Sequence, residues 1–354
     1  MGGGAREADI FSTSGLNHLR RIDWLDFYVR TAMIASLVQG VYSLQRDKQQ
    51  KRKFIANPYW ESFGFSLAET LINKDDGSIF GAVYEYNDYH NKPHCGMPRC
   101  VIAFRGTMLE LVTCLSDMKE NIRCILDNFN NGSRIKQAIK AIDAVLEKHS
   151  TDKTSVWLAG HSLGAATALL AGKTIAKRGD ILKTYAFNPP SSSVLLENIF
   201  DSVVVKGMLR LAETLIKVTI VKFSDIEIQE DDPSTTAWTP YIYVNPSDPF
   251  CAEYIGILSH KCFMAAIKLG KLESIAAKFS FMSRILFGEE GGEPIQLFSS
   301  VEMTINMNKS DLETDDHGDK QSWSKFKKAH GIEQWWEPNP ALRKWKSHSF
   351  RPSY

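Results

Sequence analysis

Residues 155–164 read SVWLAGHSLG, and AATALLAGKTIAKR follows over 165–178. A short, almost wholly apolar run, a serine between two glycines and an alanine-rich segment describe a buried strand, a tight turn and a helix that ends near Gly179. Gly160-His161-Ser162-Leu163-Gly164 fits the pattern G-x-S-x-G. In such a turn, small residues two before and two after the serine keep neighbouring backbone from colliding. The turn lifts the Ser162 hydroxyl clear of the sheet, and the helix behind it directs amide N–H groups at a reacting oxygen. A glycine-bounded turn with a capping serine is the bland alternative, and it leaves the fit of both flanks unexplained.

Outward from this element, strands and helices alternate. Residues 79–86 (IFGAVYEY) and 100–104 (CVIAF) read as strands of a hairpin across a Pro/Gly/His loop, and 134–149 as a helix with one apolar stripe. Residues 183–187 (KTYAF) and 241–244 (YIYV) read as buried strands, each running into Asn-Pro. This order predicts an α/β fold, the α/β-hydrolase fold, with a mostly parallel central sheet and helices on both faces. Residues 15–45 carry apolar positions at helical spacing (Leu25, Val29, Ala32, Met33, Leu37, Val41) and read as one or two amphipathic helices. The expected division is an N-terminal helical extension over 1–54, the hydrolase domain over 55–340 and an irregular tail over 341–354. Within the domain, 289–320 reads as loop with one strand near 300–305.

A serine hydroxyl is a weak nucleophile until a histidine takes its proton and an acid fixes that histidine's tautomer. In this fold the chain order is Ser, then Asp or Glu, then His. Asp248 follows the strand YIYV through Asn245-Pro246-Ser247, a turn that holds a carboxylate at the C-terminal edge of the sheet. Asp225 competes with it, and Asp231 and Asp232 lie in a polar stretch. Of nine histidines, His18, His90, His94 and His149 precede the serine, and His161 belongs to the turn itself. His317 and His348 sit in polar surroundings, and His260 falls on a helix surface. His330 opens His-Gly-Ile-Glu-Gln-Trp-Trp, an aromatic anchor able to hold an imidazole over the serine. The expected trio is therefore Ser162, Asp248 and His330, with Leu163 N–H as one oxyanion donor.

GHSLGAA, Phe104-Arg105-Gly106-Thr107 at the end of an earlier strand, and Asn-Pro-Ser-Asp-Pro over 245–249 together resemble the class 3 (fungal-type) lipases. The likeness spans roughly residues 55–340 and is greatest to their plant intracellular branch, which has a similar His-Gly-Ile-x-Gln-Trp-Trp block. It implies a lipase or esterase acting on acyl lipids, with Thr107 as the second oxyanion donor and a lid near Met108–Val112. Residues 194–221 offer a second amphipathic lid candidate. Arg105 reads as a structural ion-pair partner and Asp117 as a scaffold contact. Plant members are sometimes labelled GDSL esterase/lipase. This chain has no GDSL block: its nearest match, Gly179-Asp180-Ile181-Leu182, lacks the serine such chemistry needs.

Bulk properties narrow the partners. The 354 residues are 44% hydrophobic and 23% charged, with 42 basic against 41 acidic side chains and a net charge of +1. No global positive field exists to draw in nucleic acid, and the basic run Lys48–Lys53 reads as solvated surface. Six cysteines without a CxxC pair read as free buried thiols; His90, His94, Cys95 and Cys100 form a conceivable but loop-like zinc cluster. The N-terminus lacks the layout of a secretory signal, has Arg6 where myristoylation wants Ser or Thr, and no membrane span is evident. The expectation is a cytoplasmic enzyme that needs no cofactor or metal, takes a lipid or small ester, and makes at most transient contact with a membrane or lipid surface. A non-catalytic lipase-like scaffold and an acyltransferase or thioesterase with the same trio are the competing classes.

Overall fold

The structure, a computed structural model, describes residues 16, 22–51, 58–87, 96–108, 133–191, 236–266, 299–308 and 319–351. Its frame is an eight-stranded sheet in which the strands follow one another in chain order. These are β1 (Phe65–Ile72), β2 (Ile79–Tyr86), β3 (Cys100–Phe104), β4 (Val156–His161), β5 (Lys183–Phe187), β6 (Tyr241–Val244), β7 (Val301–Asn306) and β8 (Trp345–Phe350). Pairing is parallel from β3 to β7 and antiparallel at both margins. The hairpin of β2 and β3 and the parallel centre are as the sequence predicts, and the α/β-hydrolase fold follows from them.

Alternation along the central strands sorts side chains onto two faces. Val101 and Ala103 of β3 and Trp157 and Ala159 of β4 join one apolar cluster with helix α1 (Phe27–Gln49). Ile102, Phe104, Val156 and Leu158 join another with α2 (Ser133–Lys148) and α3 (Leu163–Ala176). Helix α4 (Glu253–Ala266) extends that second layer beyond α3 through Tyr254 and Leu258, which pack with Ile242 and Val244 of β6.

The N-terminal helix departs from its expected character. Among the described residues of 15–45 one helix is seen, and Leu25 lies before it and is 66% exposed, because Asp26 caps the helix by accepting a hydrogen bond from Val29 N–H at 2.8 Å. Every residue from Thr31 to Val41 is buried, so the helix is enclosed and not amphipathic. Three of its polar residues find partners inside the protein: Thr31 Oγ1 lies 3.0 Å from Tyr243 Oη, Ser36 Oγ donates to Met33 O, and Gln45 Oε1 accepts from Ile79 N–H at 2.7 Å.

The segment after Trp336, expected to be irregular, contains β8. This strand pairs with β7 as the sheet edge and exposes its four central residues. WKSHSF therefore lacks the apolar alternation that marks a half-buried strand. Strand β1 at the opposite edge was not foreseen for the same reason, since Ala68 and Glu69 at its centre are exposed. Helix α5 (Asp319–His330), for which the sequence reading gives no element, leads into the segment after His330. Among the described residues no helix is long and apolar enough to cross a membrane.

Candidate active site

The turn between β4 and α3 is built on close backbone approach. A Cβ on Gly160 would lie 2.0 Å from Gly164 O, and one on Gly164 would lie 2.2 Å from Phe104 O. No side chain fits at either position. Ser162 sits between them at φ 54°, ψ −125°, a conformation that non-glycine residues adopt only where their surroundings impose it. Its N–H donates to Phe187 O at 2.9 Å, while its carbonyl accepts from Ala165 and Ala166 as the first turn of α3. The hydroxyl makes no capping hydrogen bond, which removes the bland reading of the turn. Leu163 opens α3, where the leading N–H groups have no partner within the helix.

Asp248 lies beyond β6 in a turn closed by Asp248 N–H to Asn245 O at 3.0 Å. His330 ends α5. The two side chains are fully buried and meet at 2.8 Å, His330 Nδ1 to Asp248 Oδ2. Asp248 also accepts from Asn188 Nδ2 at 2.7 Å, Cys251 Sγ at 3.2 Å and Phe250 N–H at 3.1 Å. Burial by itself would raise this carboxyl. The adjacent His330 ring, with hydrogen bonds from His330, Asn188 and Cys251, outweighs burial and holds it below the ordinary carboxylate value. An ionised Asp248 takes its proton donor from Nδ1, so Nε2 of a neutral His330 keeps its lone pair.

The His330 ring is stacked on Phe326 (centroids 5.0 Å apart, 19° between planes), with the edge of Phe250 at 5.5 Å and His161 at 5.0 Å. His161, next to Ser162, donates from Nε2 to the His330 carbonyl at 2.7 Å. Ser162 Oγ and His330 Nε2 are both buried, and neither has a hydrogen-bond partner among the described residues. The pair is thus not hydrogen-bonded to each other; in free serine hydrolases such a contact is often long and tightens only with substrate.

Sequence reasoning missed Asn188, which ties Asp248 to the end of α5. It follows β5 at φ 48°. Its amide nitrogen donates to Asp248 Oδ2 and, at 3.1 Å, to Ala329 O, while its oxygen accepts from Trp335 Nε1 at 2.8 Å. Gln334 works beside it. Its Nε2 donates to Ala329 O at 2.7 Å and Gly331 O at 2.9 Å, and its Oε1 accepts from Asn245 and Asn306. These bonds cover carbonyls that the end of α5 leaves open. The Asn-Pro step after KTYAF was the only trace of Asn188 in the sequence.

Thr107 and Met108 follow β3, Met108 being buried. Arg105 is not held by an ion pair among the described residues. Its Nε and Nη1 donate to the carbonyls of Ile79 and Gly106, each at 2.6 Å, and burial pushes its guanidinium down to about 10. A buried guanidinium aimed at carbonyls positions backbone; here it orients the Gly106–Thr107 peptide. His260 lies on α4, half-buried, while His348 is exposed on β8. Of the free thiols, Cys100 and Cys251 are buried as expected and Cys262 is exposed. Among the described residues no cluster of three His, Cys, Asp or Glu side chains could hold a metal ion. The rest of the lid candidate at 108–112, the 194–221 segment, Asp117, Asp225, Asp231, Asp232, His90, His94, Cys95 and His317 lie outside the described residues.

The family described as lipase (class 3) matches residues 101–213. An Arabidopsis thaliana protein named as a GDSL esterase/lipase is 36% identical over 351 residues, covering 93% of this chain and 95% of that one. Two solved structures of a Pyrobaculum calidifontis esterase each align with 71% of this chain and 98% of theirs. They are 13% and 11% identical, with TM-scores of 0.27 and 0.28.

Proposed function

The chain belongs to the class 3 lipase family, and from that membership we propose that it cleaves carboxylic esters of acyl lipids with Ser162 as nucleophile, His330 as base and Asp248 as orienting acid. One observation carries the assignment: Asp248 and His330 share a buried 2.8 Å hydrogen bond that leaves Nε2 without a partner among the described residues, on a turn fastened to the residue beside Ser162.

In the proposed reaction His330 Nε2 removes the Ser162 Oγ proton as Oγ attacks the ester carbonyl. The negative oxygen is met by the N–H groups of Leu163 and Thr107. The C–O bond to the alcohol breaks, and the alkoxide leaves with the proton held on Nε2. The ester now links Ser162 to the acyl group. Water enters, gives a proton to Nε2 and attacks the acyl carbon, and Ser162 departs with that proton as the free acid is released. Asp248 stays ionised throughout and stabilises the imidazolium. No step draws on a metal or organic cofactor.

The test is labelling with a fluorophosphonate probe, wild type beside Ser162→Ala, followed by a panel of p-nitrophenyl esters and acyl lipids. Labelling of the wild type alone supports the assignment. Labelling of neither protein favours a lipase-like scaffold without catalysis. Labelling of both places the nucleophile elsewhere.

A further inference from the structure

A half-buried tyrosine far from the trio in sequence joins two parts of the site. Tyr42, on α1, lies with its hydroxyl 2.7 Å from Gly106 N and 2.8 Å from His161 Nδ1. The direction of every proton in this chain follows from what each atom can do. The His330 carbonyl only accepts, so His161 Nε2 carries a hydrogen and donates to it. His161 is neutral, because burial and the neighbouring His330 push it down to about 3, so its Nδ1 is a bare lone pair and Tyr42 O–H donates there. The tyrosine oxygen then accepts the Gly106 N–H. The order runs Gly106 N–H to Tyr42, Tyr42 O–H to His161, and His161 N–H to the backbone of His330.

Packing leaves no freedom around this chain. A Cβ on Gly106 would stand 2.7 Å from Ser162 Cβ, 2.9 Å from His161 O and 2.9 Å from Tyr42 Oη. Gly106 is therefore held on both sides of its peptide bonds, by Tyr42 at its N–H and by Arg105 at its carbonyl. A trans peptide points its N–H opposite to its C=O, so the Thr107 N–H is directed away from Arg105.

We propose that Tyr42 is a positioning residue that sets the oxyanion loop in register with the nucleophile turn and, through His161, with the turn that carries His330. This rests on the serine hydrolase reading above. The transition state needs Thr107 N–H, Ser162 Oγ and His330 Nε2 at one carbonyl within a few tenths of an ångström, and they come from three separate segments. Tyr42 touches two of these segments directly and the third through one histidine.

The experiment is a double-mutant cycle on the full chain with Tyr42→Phe, His161→Leu and the pair, scored by kcat and KM on a short p-nitrophenyl ester and by fluorophosphonate labelling rate. Tyr42→Phe keeps the ring and removes only the bridge. The expected result is a kcat about 10- to 100-fold lower, the size of a small misplacement of reacting groups, with KM within about twofold. His161→Leu lowers kcat similarly, and the double variant loses no more than either alone, since the two act through one chain. His161→Gln, which can accept from Tyr42 and donate to the His330 carbonyl, recovers most of the activity. In the two proteins that keep His161, 15N shifts of its ring show the Nε2–H tautomer with a hydrogen-bonded Nδ1 in wild type, and in Tyr42→Phe the Nδ1 shift moves as it loses its donor while Nε2–H stays on the His330 carbonyl. If Ser162→Ala abolishes labelling while Tyr42→Phe keeps wild-type kcat, the positioning role is wrong and the hydrolase reading stands. Additive losses in the cycle also overturn it. Wild type that is not labelled overturns both. Should Tyr42→Phe not fold, His161→Leu against His161→Gln decides: equal kcat in those two refutes the bridge.

Discussion

Asn188 Nδ2 stands 2.7 Å from Asp248 Oδ2, fully buried, although the two residues are 60 positions apart. The same nitrogen reaches Ala329 O, one residue before His330, so a single amide group sets the spacing of Asp248 and His330. A hydrogen bond to a buried carboxylate contributes about 1.5–3 kcal/mol, which corresponds to roughly 10- to 100-fold in rate if it acts on the transition state. Asn188→Ala is expected to lower kcat by that factor and to destabilise the fold, since Trp335 Nε1 and Ala329 O each lose a partner. Asn188→Asp should be worse, because it sets a second carboxyl against Asp248. Steady-state kinetics beside thermal unfolding of both variants check the order; an Asn188→Asp as active as wild type would contradict it.

Replacing Asp248 by Asn keeps the shape of the acid while removing its charge. The His330 Nδ1–H then loses the acceptor that fixes its tautomer. If the proposed roles hold, the expected cost is on the order of 10⁴ in kcat with KM little changed, as in serine triads where the same replacement has been made. Stability should also fall, because the carboxylate now meets four donors, from His330, Asn188, Cys251 and Phe250. Kinetics on the purified variant give the first quantity and urea unfolding the second. A variant within about tenfold of wild type would move the acid role elsewhere.

The parts of this site legible in the sequence are those whose geometry is set within a few residues. Gly160 and Gly164 announce the turn because a Cβ at either would lie 2.0 or 2.2 Å from a backbone oxygen, which excludes any side chain there. Asp248 is announced by the turn that follows a short apolar strand, and His330 by its place before Trp335 and Trp336, although the rings packed on it are Phe326, Phe250 and His161. Asn188 and Tyr42 leave no such mark. Their contacts cross 60 and 64 positions, and an asparagine after a strand or a tyrosine on a helix is common everywhere. Helix α1 was legible as a helix but not as buried, since Thr31, Ser36 and Gln45 among its apolar positions suggest contact with water until the groups that satisfy them are seen. The edge strands β1 and β8 were lost because a strand open to water along one margin needs no apolar period.

His161 gives the fold a pH dependence of its own. It is buried and neutral, with burial pushing it from 6.5 down to about 3. Between those values the unfolded chain carries a proton here that the folded chain does not. Stability from this residue is therefore complete above pH 6.5 and falls with acidification at about 1.4 kcal/mol per pH unit until the folded ring itself titrates. His161→Gln removes that proton uptake while keeping both hydrogen-bond roles. Urea unfolding at about pH 6 and about pH 4.5 should show a stability difference about 2 kcal/mol smaller in the variant than in wild type. Equal differences in the two proteins would mean that the folded ring accepts the proton.

Two alanine substitutions two residues apart should have opposite consequences. Ser162→Ala removes a hydroxyl that is buried and, among the described residues, without a partner. It is expected to leave stability within about 1 kcal/mol of wild type, or slightly above it, while labelling and turnover disappear. Gly164→Ala adds one methyl group that would lie 2.2 Å from Phe104 O and 2.6 Å from Phe104 C, both backbone atoms of a central strand. Neither β3 nor α3 can retreat without opening the sheet, so the cost should reach about 4 kcal/mol or more, enough to leave little folded protein. Thermal melts and soluble yield separate the cases. A Gly164→Ala chain that melts with wild type would show that strand and helix do not approach as closely as the turn between β4 and α3 requires.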